Sequence, residues 1–134
     1  MHKRTLTLLF LVSLIFTVIG CGDKVPMRGK VTFSDDQSPL TVGMVSFTSE
    51  TVLARGQLKP DGTYVIGTDK ENDGLPKGTY TVSISHAVET TPGPSVGGLP
   101  GALITRQLIT PLEPKTVVVD GKTKVYNIEV ERAK

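Results

Sequence analysis

Short runs of alternating apolar and polar residues, separated by turn-forming residues, constrain the fold of this chain most strongly. In the clearest run, Tyr80, Val82 and Ile84 fall two apart, with threonine and serine residues between them. Successive side chains of a β-strand point to opposite faces, so this spacing predicts a strand with one buried face.

The same alternation recurs between residues 25 and 132, which predicts about seven strands and no amphipathic helix. Residues 60–63 (Pro-Asp-Gly-Thr) have the composition of a tight turn, so the strands on either side are predicted to form a hairpin. Residues 115–120 and 123–132 are predicted to form a final hairpin about the Asp120-Gly121 turn. Tyr64, Tyr80 and Tyr126 are in register with apolar residues and are predicted to lie in the core.

The chain from Glu89 to Gly101 interrupts this pattern. It contains three prolines and four glycines with few apolar residues, which is typical of a mobile loop. Residues 103–112 fit either a strand at a sheet edge or a single helical turn. We therefore expect the loop and the sheet edges to be the surfaces that contact other molecules.

Residues 1–20 have the three parts of a secretory signal peptide. Lys3 and Arg4 give a positive start, an uncharged run covers residues 6–19, and the small residue Gly20 precedes Cys21. The run is shorter than the roughly 20 residues of a membrane-spanning helix, although a signal anchor and an ordinary secretory signal remain alternatives.

Val18-Ile19-Gly20-Cys21 resembles a bacterial lipobox. The resemblance implies a diacylglyceryl group on the sulfur of Cys21 and cleavage after Gly20. Residues 21–25 would then be a short tether, and residues 26–134 the folded domain. Gly22 stands directly after the cysteine, where an aspartate would favour inner-membrane retention, so we expect a cell-envelope protein with the outer membrane favoured.

The net charge of the domain argues against nucleic acid as a partner. The chain has 15 basic and 13 acidic residues, and removal of the signal, with Lys3 and Arg4, leaves 13 of each. A balanced charge provides no basic surface for a phosphate backbone.

Four segments of the chain occur in a recognisable order and spacing: Gly29-Lys30-Val31-Thr32-Phe33, Val45-Ser46-Phe47, Pro60-Asp61-Gly62-Thr63-Tyr64 and residues 74–82. Together they resemble the carboxypeptidase-regulatory-like (transthyretin-like) domains of small lipoproteins in planctomycete-type bacteria. The resemblance implies a seven-stranded Ig-like or prealbumin-like β-sandwich, but little about activity. Residues 104–111 depart from the lysine- and proline-containing stretch that relatives tend to carry there.

Catalytic chemistry is not indicated by the sequence. His86 is the one histidine of the mature chain, and its neighbour Ser85 is expected to point to the opposite face of the strand. No catalytic residue, cofactor or N/S-ligated metal is therefore predicted.

Asp69, Glu71 and Asp73 alternate before Gly74, as in the opening of a calcium-binding loop. Tyr80 occupies the twelfth position of that loop, where calcium needs a bidentate glutamate. Calcium at these three carboxylates therefore stays an alternative to a solvated acidic turn.

Two hypotheses for function follow. The first is a lipid-anchored, non-catalytic β-sandwich that binds an envelope protein or scaffolds the envelope. The alternative is a ligand-binding module for envelope polysaccharide or calcium, centred on the acidic turn at residues 69–73.

Overall fold

The computed structural model describes residues 23–134, and these are all-β, so the all-β part of the predicted fold class is confirmed. The predicted signal peptide and Cys21 lie outside the described residues. Within the described range, no helix is long and apolar enough to span a membrane. The strands there are β1 (Arg28–Phe33), β2 (Met44–Thr48), β3 (Leu53–Gln57), β4 (Thr63–Val65), β5 (Gly78–Ser85), β6 (Val88–Pro92), β7 (Leu103–Gln107), β8 (Lys115–Val119) and β9 (Ile128–Val130).

The strand count of seven is wrong, because the described residues form nine strands. The two additional strands are β6 and β7, which occupy the predicted mobile loop and the ambiguous stretch after it. Both strands are almost entirely exposed, so neither shows the apolar–polar alternation by which the other strands were predicted.

The described strands form two larger sheets and one two-stranded sheet. The first sheet has the order β4-β1-β9, and β9 runs parallel to β1. The second has the order β3-β2-β5-β8 and is antiparallel throughout. β6 and β7 pair with each other.

The turn at residues 60–63 forms as predicted, and its two arms bond to each other at two places. Gly62 has φ +80°, and the Asp61 carboxylate accepts a hydrogen bond from the amide of Thr63 at 3.0 Å. The amide of Lys59 donates to the carbonyl of Thr63 at 2.9 Å, and Arg55 and Gly67 form an antiparallel bridge, as a hairpin requires. The longer ladders of the two arms lead elsewhere, because β3 pairs with β2 and β4 pairs with β1.

The predicted final hairpin is wrong, because its two arms pair with different strands. The local turn is present, because Gly121 has φ +86° and the Asp120 carboxylate accepts from the amide of Lys122 at 2.9 Å. β8 nevertheless pairs with β5, and β9 pairs with β1. The intervening chain crosses from the second sheet to the first, where the amide of Tyr126 donates to the carbonyl of Arg28 at 2.8 Å.

Side chains from both larger sheets share one apolar core, and the predicted core positions of the tyrosines are confirmed for Tyr64 and Tyr80, at 0% and 2% exposure. Tyr126 is half-buried and meets Phe47 edge to face, with ring centroids 6.0 Å apart. The Tyr64 hydroxyl donates to the Tyr126 carbonyl, and burial raises the pKa of Tyr64 above its usual value. A buried polar group is thereby satisfied inside the core.

Gly29 is required by the close approach of β1 to the segment that precedes β9. A Cβ at this position would lie 1.8 Å from the Tyr126 carbonyl oxygen and 2.8 Å from the Tyr64 hydroxyl oxygen. At Gly78 a Cβ would make only ordinary contacts, the nearest at 3.6 Å with the Tyr80 ring.

We therefore expect Gly29→Ala to lower the free energy of unfolding by about 1–3 kcal/mol, the usual cost of overpacking a filled core. Gly78→Ala is the matched control and is expected to change it by less than about 0.5 kcal/mol. Urea denaturation followed by circular dichroism measures both. Equal stability of the two variants would contradict the packing described around Tyr64 and Tyr126.

Candidate functional site

The molecule has two ends, which are defined by the ends of β5. Gly78 at the start of β5 pairs with Val119, and nearby Leu75 forms a β-bridge with Val25, where the described chain enters the domain. We call this the anchor end. Ser85 at the other end of β5 pairs with Met44, and just beyond it β6 begins at Val88, beside the last residue of β7, Gln107. We call this the ribbon end.

An ion-pair cluster at the anchor end holds the entering chain against the domain. The ammonium of Lys24 lies 2.5 Å from a carboxylate oxygen of Asp69 and 2.5 Å from one of Asp73. Val25, which the sequence assigned to the tether, is 5% exposed and exchanges backbone hydrogen bonds with Leu75 at 2.7 and 3.0 Å. We call the three charged side chains the anchor-end clasp.

Asp73 organises the loop that carries the clasp. Its carboxylate accepts hydrogen bonds from the amides of Thr68 at 2.7 Å and Lys70 at 3.2 Å, and the Asp73 side chain is 21% exposed. The bonds from Lys24 and from these amides favour the charged form, which lowers the pKa of Asp73 below its usual value. The Asp69 side chain is 75% exposed, and its carboxylate accepts a hydrogen bond from Lys24, whereas the Asp69 amide donates to the Asp73 carboxylate at 3.4 Å.

The structure brings two of the three calcium candidates together, but around a lysine ammonium. Asp69 and Asp73 converge on Lys24, whereas Glu71 lies beside Arg55 and Lys59 along a separate concave surface. Within residues 23–134, no three His, Cys, Asp or Glu side chains converge as a metal site would require. Sequence reasoning missed Lys24 because it lies 45 residues from Asp69 in the chain.

Asp73→Asn is expected to destabilise the protein at neutral pH and to alter its acid unfolding. The folded-state pKa of Asp73 is lowered from 3.8, so its charge stabilises the fold above about pH 4 and loses that effect as the pH falls further. Urea midpoints of the wild type and the variant should therefore differ by a constant amount above about pH 4 and converge below it. Asp69→Asn is the control and should have a smaller effect, because Asp69 is mostly exposed.

If the difference in urea midpoint between the wild type and Asp73→Asn did not shrink below about pH 4, the result would contradict the assigned role of the Asp73 charge.

An isolated β-ribbon projects from the ribbon end. β6 and β7 pair in one register from Val88–Gln107 to Pro92–Leu103, and the Val96–Leu99 pair at the tip keeps that register. Between the described strands, β6 and β7 share substantial contacts only with each other. We call residues 88–107 the ribbon; its strands and two-residue turn replace the predicted mobile loop.

Gly97 and Gly98 form the two-residue turn at the tip of the ribbon. Their φ angles are +62° and +79°, and positive φ at both central positions is the mark of a type I′ hairpin turn. Val96 and Leu99 on either side exchange backbone hydrogen bonds at 3.1 and 3.2 Å. The Gly-Gly pair was the available sequence signal for this hairpin, but the surrounding prolines obscured it.

The ribbon has one apolar face. Cross-strand partners project to the same face, as the 3.3 Å contact between the hydroxyls of Thr90 and Thr105 illustrates. The register therefore places the pairs Pro92–Leu103 and Val96–Leu99 on this face too, and Val88 at its base. Leu103, Val96 and Leu99 are 72%, 76% and 71% exposed. The opposite face carries the charged pair Glu89–Arg106 and the pair Thr91–Ile104.

The base of the ribbon adjoins a concavity of about 340 Å³ at the ribbon end. Val88 lines it together with Phe33 and Val42, so the apolar face of the ribbon continues into this concavity. Arg132 closes one side: its guanidinium lies 3.8 Å from the centroid of the Phe33 ring and binds Asp35 at 2.8 Å and Asp36 at 2.9 Å. The base of the ribbon is thus supported by a fixed C-terminal segment.

His86 and Ser85 are brought together, contrary to expectation. The Nδ1 of His86 lies 3.1 Å from the Ser85 hydroxyl oxygen, because His86 has φ +56° and no longer follows the alternation of β5. Both side chains are exposed. Within the described part of the chain, His86 makes no other side-chain hydrogen bond, so no third group orients the imidazole as a Ser–His hydrolase requires.

A concave surface of about 930 Å³ lies beside the anchor-end half of β5. Hydroxyl groups dominate its lining, including those of Thr48, Thr81 and Thr116, which form one row across the sheet. Tyr80 is the aromatic residue among its lining residues; it is 2% exposed, and its hydroxyl donates to the Pro76 carbonyl at 2.7 Å. That ring is not free to stack on a sugar.

No protein-family model matches the chain, and no curated protein sequence matches it. Among solved structures, the chain is similar to a variant of BcpA, the major pilin subunit of Bacillus cereus, with a TM-score of 0.50 and 12% sequence identity. The match covers 83% of this chain and 30% of the pilin chain, so this protein spans less than a third of its neighbour. At this identity the likeness concerns the β-rich fold alone.

Proposed function

We propose that this protein is an exported lipoprotein whose non-catalytic β-sandwich stands on a lipid at Cys21 and binds a protein partner through the ribbon. The two larger sheets and their common core support the sandwich, of the carboxypeptidase-regulatory-like kind that the sequence resembles. We place it in the cell envelope, with the outer membrane favoured. The exposed apolar face of the ribbon is the observation that carries the proposal.

The ribbon exposes more apolar surface than the stability of the fold requires. Val96, Leu99 and Leu103 are each more than two-thirds exposed and share one face. Single exposed apolar side chains are common on proteins, but a contiguous group on a protruding element marks an interaction site. A two-stranded ribbon is also only marginally stable by itself in water, so a partner that covers its face would stabilise it.

The backbone of the ribbon favours a protein over a lipid bilayer as partner. In each ribbon strand, one edge pairs with the other strand and the opposite edge is unpaired in the described chain. Unpaired amides and carbonyls in hydrocarbon cost several kcal/mol each, whereas a partner strand can pair with them. Insertion of the ribbon into a membrane is therefore disfavoured.

The anchor-end clasp supports the proposed attachment. Lys24 follows Cys21 by three residues, so at about 3.5 Å per residue the chain between their Cα atoms spans at most about 11 Å. β5 then spans eight residues, which separates the anchor end from the base of the ribbon by roughly 25 Å. A domain held this closely at one end presents the ribbon on the side away from the lipid.

The alternative functions receive less support. Lys24 already occupies the space between Asp69 and Asp73 that a calcium ion would take. The hydroxyl-rich surface near β5 suits polysaccharide, but Tyr80 cannot stack on a sugar there. The exposed pair of Ser85 and His86 lacks an orienting group, which supports a non-catalytic role.

Photo-cross-linking in intact cells tests the proposal. A photoreactive residue at Leu99, on the ribbon tip, is expected to give one recurrent protein adduct, and the same residue at Thr81, beside the hydroxyl-rich surface, is expected to give none. The adduct at Leu99 should disappear when Val96 and Leu103 are both replaced by Ser, because the apolar contact is lost. Mass spectrometry identifies the adducts and the modification on the N-terminal peptide.

Cys21→Ala serves as the control for anchoring and should release the protein from the membrane fraction. Adducts formed from Thr81 but not from Leu99 would contradict a role of the ribbon in binding. A Cys21→Ala protein that stays embedded would favour the signal-anchor alternative.

A further inference from the structure

We infer that the apolar face of the ribbon packs against the same face of a second copy of this chain, anchored in the same membrane. This inference rests on the proposed function and names its partner. The apolar members of this face are Val88, Pro92, Val96, Leu99 and Leu103, and the register places the Thr90–Thr105 pair and Gln107 on the same side.

The charge distribution of the ribbon suits self-association. Residues 90–105 form a stretch of sixteen residues without a charged side chain. When two copies of one surface meet about a twofold axis, each charge meets its equivalent, so like charges oppose such contacts. The nearest charged residues of the ribbon, Glu89 and Arg106, are cross-strand neighbours at its base, where the register places them on the opposite face.

The position of the ribbon is compatible with a twofold axis perpendicular to the membrane. Such an axis keeps both lipid anchors in one membrane, because the anchor ends of both copies then lie at the same height. Both ribbons begin at the far end of β5, and their apolar faces can meet across the axis. The contact is isologous, so each residue on the axis faces its equivalent in the other copy.

The area of the face predicts a weak contact that depends on the membrane. About ten residue pairs at 3.3 Å, over a ribbon roughly 10 Å wide, give a face on the order of 330 Å². Stable interfaces bury about 800 Å² per partner, so the ribbon alone should not hold a dimer in dilute solution. Anchoring in one membrane raises the effective concentration of the two copies, as a linker does for two joined binding modules.

Cysteine cross-linking of the membrane-bound lipoprotein tests this inference. Cys21 is the one cysteine of the chain, and its sulfur carries the lipid, so an introduced cysteine is the free thiol. Leu103→Cys lies on the apolar face, and Ile104→Cys, the matched control, is the next residue on the opposite face; both native side chains are more than half exposed. With a mild oxidant, Leu103→Cys should form a disulfide-linked species of twice the chain mass, at least tenfold more than Ile104→Cys.

A second arm tests the dependence on anchoring: the same Leu103→Cys protein, diluted in detergent before oxidation, should lose most of the cross-link. Equal cross-linking at positions 103 and 104 would overturn the inference, because random collision does not distinguish the faces. A Leu103→Cys adduct with a different protein would also overturn it, while leaving the proposed binding role of the ribbon intact. If neither a dimer nor an adduct formed at position 103, both proposals would fail.

Discussion

The backbone ladders on both sides of β5 hold the rest of the structure in place. β5 pairs with β2 along one edge and with β8 along the other, and its inward side chains Tyr80 and Val82 are buried in the common core. Because a strand of eight residues is stiff and of fixed length, it sets the distance between the anchor end and the ribbon end. The functions proposed for the two ends depend on that separation.

The two ends are stabilised by different physical means. The anchor end relies on charge. The carboxylates of Asp69 and Asp73 hold the Lys24 ammonium, and the Asp73 carboxylate also accepts a hydrogen bond from an amide of its own loop. The ribbon relies on backbone hydrogen bonds and a glycine turn, and it leaves its apolar side chains uncovered. This contrast fits a module in which one end fixes orientation and the other end is reserved for a partner.

Strand positions could be predicted from the sequence wherever one face is buried, as for Val45 and Phe47 in β2 or Tyr80 and Val82 in β5. The pairing of strands could be predicted only in part. The arms of the Asp61-Gly62 turn bond to each other, whereas β8 and β9, on either side of Asp120-Gly121, pair with β5 and β1. The ribbon was missed because a strand exposed on both faces shows no apolar–polar alternation. Its functional residues were identified only when the register placed Val96, Leu99 and Leu103 on one face.

The calcium hypothesis illustrates a limit of reading sites from local spacing. Asp69, Glu71 and Asp73 alternate as ligands of a loop would, yet Asp69 and Asp73 converge on a lysine far away in sequence and Glu71 lies apart from them. A carboxylate already bonded to an ammonium and to backbone amides is poorly disposed to bind an ion as well. Long-range counter-ions such as Lys24 become visible only once the fold brings the chain segments together.

The orientation of the domain on its membrane is the central claim, and fluorescence quenching measures it most directly. The full-length lipoprotein is reconstituted in vesicles that contain headgroup-quencher lipids, with a fluorophore at Lys122 near the anchor end or at Leu99 on the ribbon tip. The account predicts strong quenching at Lys122 and little at Leu99, because β5 separates the ribbon from the anchored end. Quenching at Leu99 that equals or exceeds that at Lys122 would show that the ribbon faces the lipid and would contradict the account.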